Sequence, residues 1–143
     1  MSNRDSAPTP KLRYTFEQLA NVRRFWGCAI SPDSQQVAIR ADLDGQMNLW
    51  LMPASGGFPV QLTFFKDQTV RGVEWSPVSN QIAFDADKQG NELHQLYVLD
   101  LDAGARPRLL IDNPTQRYYL SRWSPDGRYL YYCTDDRDPG AID

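Results

Sequence analysis

Three serines recur in one short context and are the first residues to test for covalent chemistry. Ser31, Ser76 and Ser124 each stand directly before a proline. A serine hydroxyl becomes a nucleophile only when an oriented base takes its proton. In α/β-hydrolases that serine lies in a Gly-x-Ser-x-Gly turn, followed along the chain by an acid and a histidine. The sequence has no such turn, and its one histidine, His94, stands before an apolar strand-like run. We therefore predict no catalytic residue in this chain.

Carboxylates and cysteines are common metal ligands, and neither is arranged for that role here. Aspartates cluster near 42–44, 85–87 and 135–138, without the alternating oxygens, central glycine and distant glutamate of an EF-hand. Cys28 and Cys133 have no second cysteine or histidine at metal-ligand spacing. We predict no metal and no cofactor, and we expect both cysteines to be small buried residues. The alternative of a disulfide between them stays open.

Glu92 and His94 are candidates for a substrate or domain contact, because they stand just before a strand-like run where a loop meets a sheet. No motif singles out either residue, so we expect ordinary exposed polar side chains. Four arginines could line a channel or pair with the acidic segments and receive no assigned role: Arg23, Arg24, Arg117 and Arg122.

The elements that carry these residues repeat. The distance from Ser31 to Ser76 is 45 residues, and from Ser76 to Ser124 it is 48. After each Ser-Pro anchor come an apolar run and then a polar turn, in the same order. This period is typical of a four-stranded propeller blade. The turn residues are Ser31, Pro32 and Asp33; Ser76, Pro77 and Asn80; and Ser124, Pro125, Asp126 and Gly127.

The turns have a structural explanation. Proline has no backbone N–H and so ends a strand, while Asp-Gly or Asn supplies the positive-φ position of a tight hairpin. Serine and aspartate oxygens can accept from the free N–H groups of the turn. We interpret each turn as a hairpin that joins the innermost strand of a blade to its second strand. In the second repeat we expect Asn80 to take the positive-φ position.

The predicted fold class is all-β: a partial β-propeller of about three four-stranded antiparallel blades, the third incomplete, preceded by a short N-terminal helix. We place a polar tail at 1–13, the helix at 14–25, blade 1 at 26–68, blade 2 at 69–116 and the start of a truncated blade 3 at 117–143. Thr15 and Gln18 match a capping box at the helix start.

The tryptophans are predicted to pack rather than to bind ligands. Trp75 and Trp123 end the innermost strands, where stacked blades need a large apolar surface. We expect both to pack between blades, and Trp50 to pack within its own blade.

Composition excludes some partners. The net charge of −3, with scattered lysines and arginines, gives no attractive field for a phosphate backbone. No stretch approaches the ~20 apolar residues of a membrane span, and no apolar signal segment is present. We predict no nucleic-acid partner, no membrane partner and a cytoplasmic location.

The Trp-Ser-Pro-Asp-Gly turn at 123–127 and its counterparts resemble the WD-type repeat of TolB-like proteins and of the prolyl oligopeptidase family of serine peptidases. The helix before the first turn and the Leu62-Thr63 blade ending resemble the acylaminoacyl-peptidase and dipeptidyl-peptidase branch. The resemblance implies a propeller that covers the active site of a C-terminal α/β-hydrolase domain and filters peptide substrates by size. The alternative is a TolB-like propeller that binds proteins and has no enzymatic parent.

Overall fold

The structure is a computed structural model that describes residues 14–20 and 23–137. The predicted tail at 1–13 lies outside the described residues. The described part begins with one short helix and continues with strands only. In chain order the elements are α1 (Phe16–Ala20), β1 (Arg24–Ile30), β2 (Gln36–Asp42), β3 (Met47–Pro53), β4 (Val60–Gln61), β5 (Gln68–Trp75), β6 (Gln81–Lys88), β7 (Gln95–Asp100), β8 (Arg108–Leu109), β9 (Tyr118–Trp123) and β10 (Leu130–Thr134).

The strands form three separate antiparallel sheets. Two have four strands, in the orders β1-β2-β3-β4 and β5-β6-β7-β8, and the third pairs β9 with β10. Within each sheet every strand pairs with the next one along the chain, which is the meander of a propeller blade. The all-β, partial-propeller prediction is confirmed. We call the sheets blade 1, blade 2 and blade 3.

The helix is shorter than predicted. Its capping box is present, since Gln18 N donates to Thr15 Oγ1 at 3.2 Å and Thr15 N donates to Gln18 Oε1 at 2.9 Å. The prediction that it extends to residue 25 is wrong, because α1 ends at Ala20 and Arg24 begins β1. Strand pairing with β2 outweighs the helical pattern there, and so short a helix has little stability of its own. In the part of the chain that the structure describes, no helix is long and apolar enough to cross a membrane.

The main core lies between blades 1 and 2. Leu49 of blade 1 packs with Ile82 and Phe84 of blade 2, and all three side chains are fully buried. The Phe84 ring stacks on Tyr97 with 5.1 Å between centroids and an interplanar angle of 8°. The side chains of successive residues in a strand point to opposite faces, so one face of each sheet supplies this core.

A buried polar network fixes the connection from blade 1 to blade 2. Asn48 Oδ1 accepts from Thr63 Oγ1 at 2.8 Å and from Phe65 N at 3.0 Å, while its Nδ2 donates to Phe65 O at 3.2 Å. The Thr63 hydroxyl also accepts from Leu49 N at 2.9 Å. Because Asn48 and Thr63 are shielded from water, these bonds replace solvent and hold the segment that follows β4.

Candidate functional site

In two of the serine-proline turns the anchor serine hydroxyl forms hydrogen bonds within the turn itself. Ser31 Oγ donates to Asp33 Oδ1 at 2.6 Å and accepts from Gln36 N at 2.9 Å. Ser124 repeats the arrangement with Asp126 at 2.6 Å and Tyr129 N at 2.9 Å. The serine hydrogen bonds lower the pKa of Asp33 and of Asp126. These carboxylates accept from the serines and stay ionised, so they close hairpins and do not activate a nucleophile.

The second turn differs from its neighbours. Ser79 Oγ donates to Ser76 Oγ at 2.9 Å in place of an aspartate contact. The expectation that Asn80 takes a positive φ is wrong, since that conformation belongs to Ser34 in the first turn (58°) and Gly127 in the third (68°). Asn80 instead donates through Nδ2 to Asp102 at 3.0 Å. This exposed bond joins the turn to the segment just after β7.

The three tryptophans differ in burial and in contacts. Trp75 is buried in the core shared by blades 1 and 2. Trp123 is half-buried, and its Nε1 donates across the blade boundary to Glu74 O at 3.4 Å. Trp50 is buried within blade 1, where its Nε1 donates to Ala41 O at 3.0 Å.

The opposite end of the sheets carries one arginine–aspartate pair in each blade. The pairs are Arg24–Asp42 at 4.0 Å, Arg71–Asp87 at 2.6 Å and Arg117–Asp135 at 3.7 Å. Each joins the first strand of a blade, or the residue before it, to the end of the second strand or the residue after it. Sequence reasoning assigned no role to Arg24 or Arg117 and did not single out Arg71. The sequence did contain an indication of these ion pairs, because one of the three arginines precedes each Ser-Pro anchor and its aspartate follows that anchor.

The Arg71–Asp87 pair is the tightest of the three. Arg71 Nε donates to Asp87 Oδ1 at 2.6 Å and Nη2 to Oδ2 at 3.3 Å, while the Asp87 side chain is fully buried. Burial alone would raise the pKa of Asp87, but the Arg71 hydrogen bond and charge outweigh it and hold that pKa below its ordinary value. The same hydrogen bond raises the pKa of Arg71. Both groups are therefore charged, and the pair is bidentate.

His94 is partly buried between blades 2 and 3. Its Nδ1 is 2.6 Å from Asp85 Oδ2, and its ring packs on Tyr119 of β9 with 4.5 Å between centroids. The expectation that His94 is an exposed polar residue is therefore wrong, whereas Glu92 is exposed. Asp85 Oδ1 is buried without a hydrogen-bond partner. A Cβ at Gly72 would come within 2.2 Å of that oxygen, so any other residue there would require the Asp85 carboxylate to move.

Both cysteines are free and exposed, so the expectation that they are buried is wrong. Cys28 alternates with Ala29, which packs into the core, and therefore points away from blade 2. Cys133 lies on β10, an edge strand of the described two-stranded sheet. Within residues 14–20 and 23–137 no group of three or more His, Cys, Asp or Glu side chains is placed to hold a metal ion.

A cavity of about 290 Å³ opens between blades 1 and 2 at the end of the sheets that carries the ion pairs. We call it the arginine cleft; its wall includes Arg24, Trp26, Arg40, Asp42, Thr69 and Arg71. Arg40 lies over Gly27, and its Nη2 donates to Trp26 O at 2.8 Å. Burial lowers the pKa of Arg40, and Arg71 lowers it further, while Asp85 acts in the opposite direction.

The chain is similar in sequence to a known protein and in fold to solved structures. No family model matches the chain. Over 78 residues the chain is 33% identical to dipeptidyl aminopeptidase BIII of Pseudoxanthomonas mexicana, a match that covers 52% of this chain and 11% of that protein. A solved structure described as TolB from Agrobacterium tumefaciens is 26% identical with a TM-score of 0.64, covering 79% of this chain and 38% of that one. TolB from Acinetobacter baumannii is 19% identical with a TM-score of 0.57, covering 84% and 31%.

The described residues have the fold of a partial TolB-like β-propeller. The chain corresponds to about a third of each TolB structure and to a smaller share of the aminopeptidase. The site residues predicted in the serine-proline turns lie at one end of this propeller segment. The arginine cleft lies at the other end, so the predicted turn residues take no part in it.

Proposed function

We propose that the chain belongs to the propeller of a cytoplasmic serine peptidase of the prolyl oligopeptidase family, in its dipeptidyl-peptidase or acylaminoacyl-peptidase branch. In this proposal the propeller controls which peptides reach an α/β-hydrolase domain in the same polypeptide. The observation that carries it is the 33% identity to a dipeptidyl aminopeptidase over 78 residues.

The contacts of the described residues support a role in contacting and orienting substrate rather than in cleaving it. The anchor serines Ser31 and Ser124 are saturated by neighbouring carboxylate and backbone groups. His94 is bound to Asp85 and faces Tyr119. A propeller segment with these properties acts by admitting and orienting substrate, while the nucleophile comes from the hydrolase domain.

The experiment uses the full natural polypeptide. We expect it to be labelled by a fluorophosphonate, which reacts with activated serines, and to release a chromophore from dipeptide-p-nitroanilides. The 143-residue chain by itself is the matched control and should show neither reaction. A full polypeptide without labelling, or with labelling that maps to Ser31, Ser76 or Ser124, would contradict the proposal.

A TolB-like protein-binding propeller is the second candidate. It is favoured by the TolB structure that is 26% identical and covers 79% of this chain. The sequence of the full natural gene distinguishes the two candidates, because only the peptidase requires a Gly-x-Ser-x-Gly motif after further propeller repeats.

A further inference from the structure

The arginine cleft contains a half-buried guanidinium without a direct counter-ion. Arg40 Nη2 donates to the backbone carbonyl of Trp26 at 2.8 Å. Its Nε and Nη1 donate to no atom of the described residues, and no described carboxylate forms an ion pair with Arg40. Asp85 forms no ion pair with Arg40, although its charge stabilises the guanidinium more than the Arg71 charge destabilises it; its Oδ2 is bound to His94 at 2.6 Å.

Two carboxylates near the cleft, those of Asp42 and Asp87, are paired with other arginines and not with Arg40. Asp87 engages Arg71 through two hydrogen bonds, at 2.6 and 3.3 Å. Arg24 lies 4.0 Å from Asp42 and is mostly exposed. Burial lowers the pKa of Arg40, the Asp85 charge offsets part of that effect, and the repulsion by Arg71 adds to it. A partly desolvated cation beside a second cation is stabilised when an anion binds against it.

The size of the cleft and its lining arginines suit a small planar anion. A volume of about 290 Å³ has room for a carboxylate and the residue that carries it. Guanidinium groups pair with carboxylates through two parallel hydrogen bonds, which gives both strength and orientation. Trp26, 61% exposed, offers a flat apolar wall on the rim for the rest of the ligand.

We propose that the arginine cleft binds the carboxylate of a peptide or small organic acid, with Arg40 as its principal ligand. Free phosphate shares the oxyanion chemistry and is the competing source. This inference does not depend on the proposed peptidase role, because the cleft is formed entirely by blades 1 and 2.

The test is an NMR titration of the 143-residue protein at low salt, followed through the Trp26 indole N–H. The probes are acetyl-Ala-Ala, its C-terminal amide and inorganic phosphate. We expect saturable shifts with the acid and none with the amide. Equal shifts with acid and amide would overturn the proposal. Arg40-dependent phosphate binding that is tighter than acid binding would also overturn it, and would assign the cleft to phosphate.

Variants locate the site. Arg40→Gln should raise the Kd for acetyl-Ala-Ala at least about tenfold, since it removes a charge-assisted pair. Arg128→Gln, an exposed arginine of blade 3, is the matched control and should leave the Kd unchanged. An unchanged Kd in Arg40→Gln would contradict the assignment. If Arg40→Gln does not fold, Arg40→Lys decides, because loss of the planar fork should raise the Kd about threefold or more and an unchanged Kd refutes the role.

Discussion

Replacing Asn48 by alanine should destabilise the protein more than its small change in volume suggests. The side chain is fully buried and takes part in three hydrogen bonds, at 2.8, 3.0 and 3.2 Å, to Thr63 and Phe65. A buried hydrogen bond contributes about 0.5–1.5 kcal/mol net, and a partner left unsatisfied costs about 1–3 kcal/mol. Some partners can relax towards solvent, so we expect the free energy of unfolding to fall by about 2–4 kcal/mol.

Urea unfolding followed by tryptophan fluorescence measures this loss. With a slope of about 2 kcal/mol per molar urea, the expected fall moves the midpoint down by about 1–2 M. Asn80→Ala is the matched control, because Asn80 is exposed and, among the described residues, its side chain bonds only to Asp102. Its effect should stay below about 0.5 kcal/mol. Equal losses in the two variants, or a loss below about 1 kcal/mol in Asn48→Ala, would refute the idea that this network fixes the blade connection.

Three further outcomes follow from the described contacts. Gly72→Ala should lower the urea midpoint strongly, because the new Cβ would lie 2.2 Å from Asp85 Oδ1; a midpoint equal to wild type would show that the carboxylate moves freely. The pKa of Asp87 is lowered in the folded state from an ordinary 3.8, so its stabilisation is present at neutral pH and is lost as pH falls below about 4. Wild type should therefore lose more stability between pH 7 and pH 3 than Asp87→Asn, and equal losses in parallel urea titrations would argue against the pair. Trp75→Ala should cost about 3–5 kcal/mol, and Trp123→Ala clearly less because Trp123 is only half-buried; the reverse order in urea unfolding would mean that the second blade boundary dominates.

The blades were predictable because their signals are local and repeated. A proline ends β5, and its anchor serine bonds within a few residues, so Ser76 and its two counterparts identify the hairpins without knowledge of distant contacts. The end of the helix was not predictable in this way. Whether Arg24 and Phe25 continue a helix or start a strand depends on pairing with Asp42 and Ala41, which are distant in sequence.

The sites depend on contacts between blades, and these leave little trace in sequence. His94 is partly buried because Gly72 leaves room for Asp85 and because Tyr119 approaches from the next blade. None of these residues forms a motif with His94. Arg40 was likewise missed, because in the sequence it is a single arginine in a strand and only the structure places it with Arg71 in the wall of one cavity.

Gly27 faces Arg40 in blade 1, and Gly72 faces Asp85 at the matching place in blade 2. In both blades a register shift lies just before the glycine. The residue opposite this glycine is thus a cation in blade 1 and an anion in blade 2, while the strand pairing is the same. Successive blades of this fold can therefore present opposite charges, and so prefer different ligands, on the same backbone.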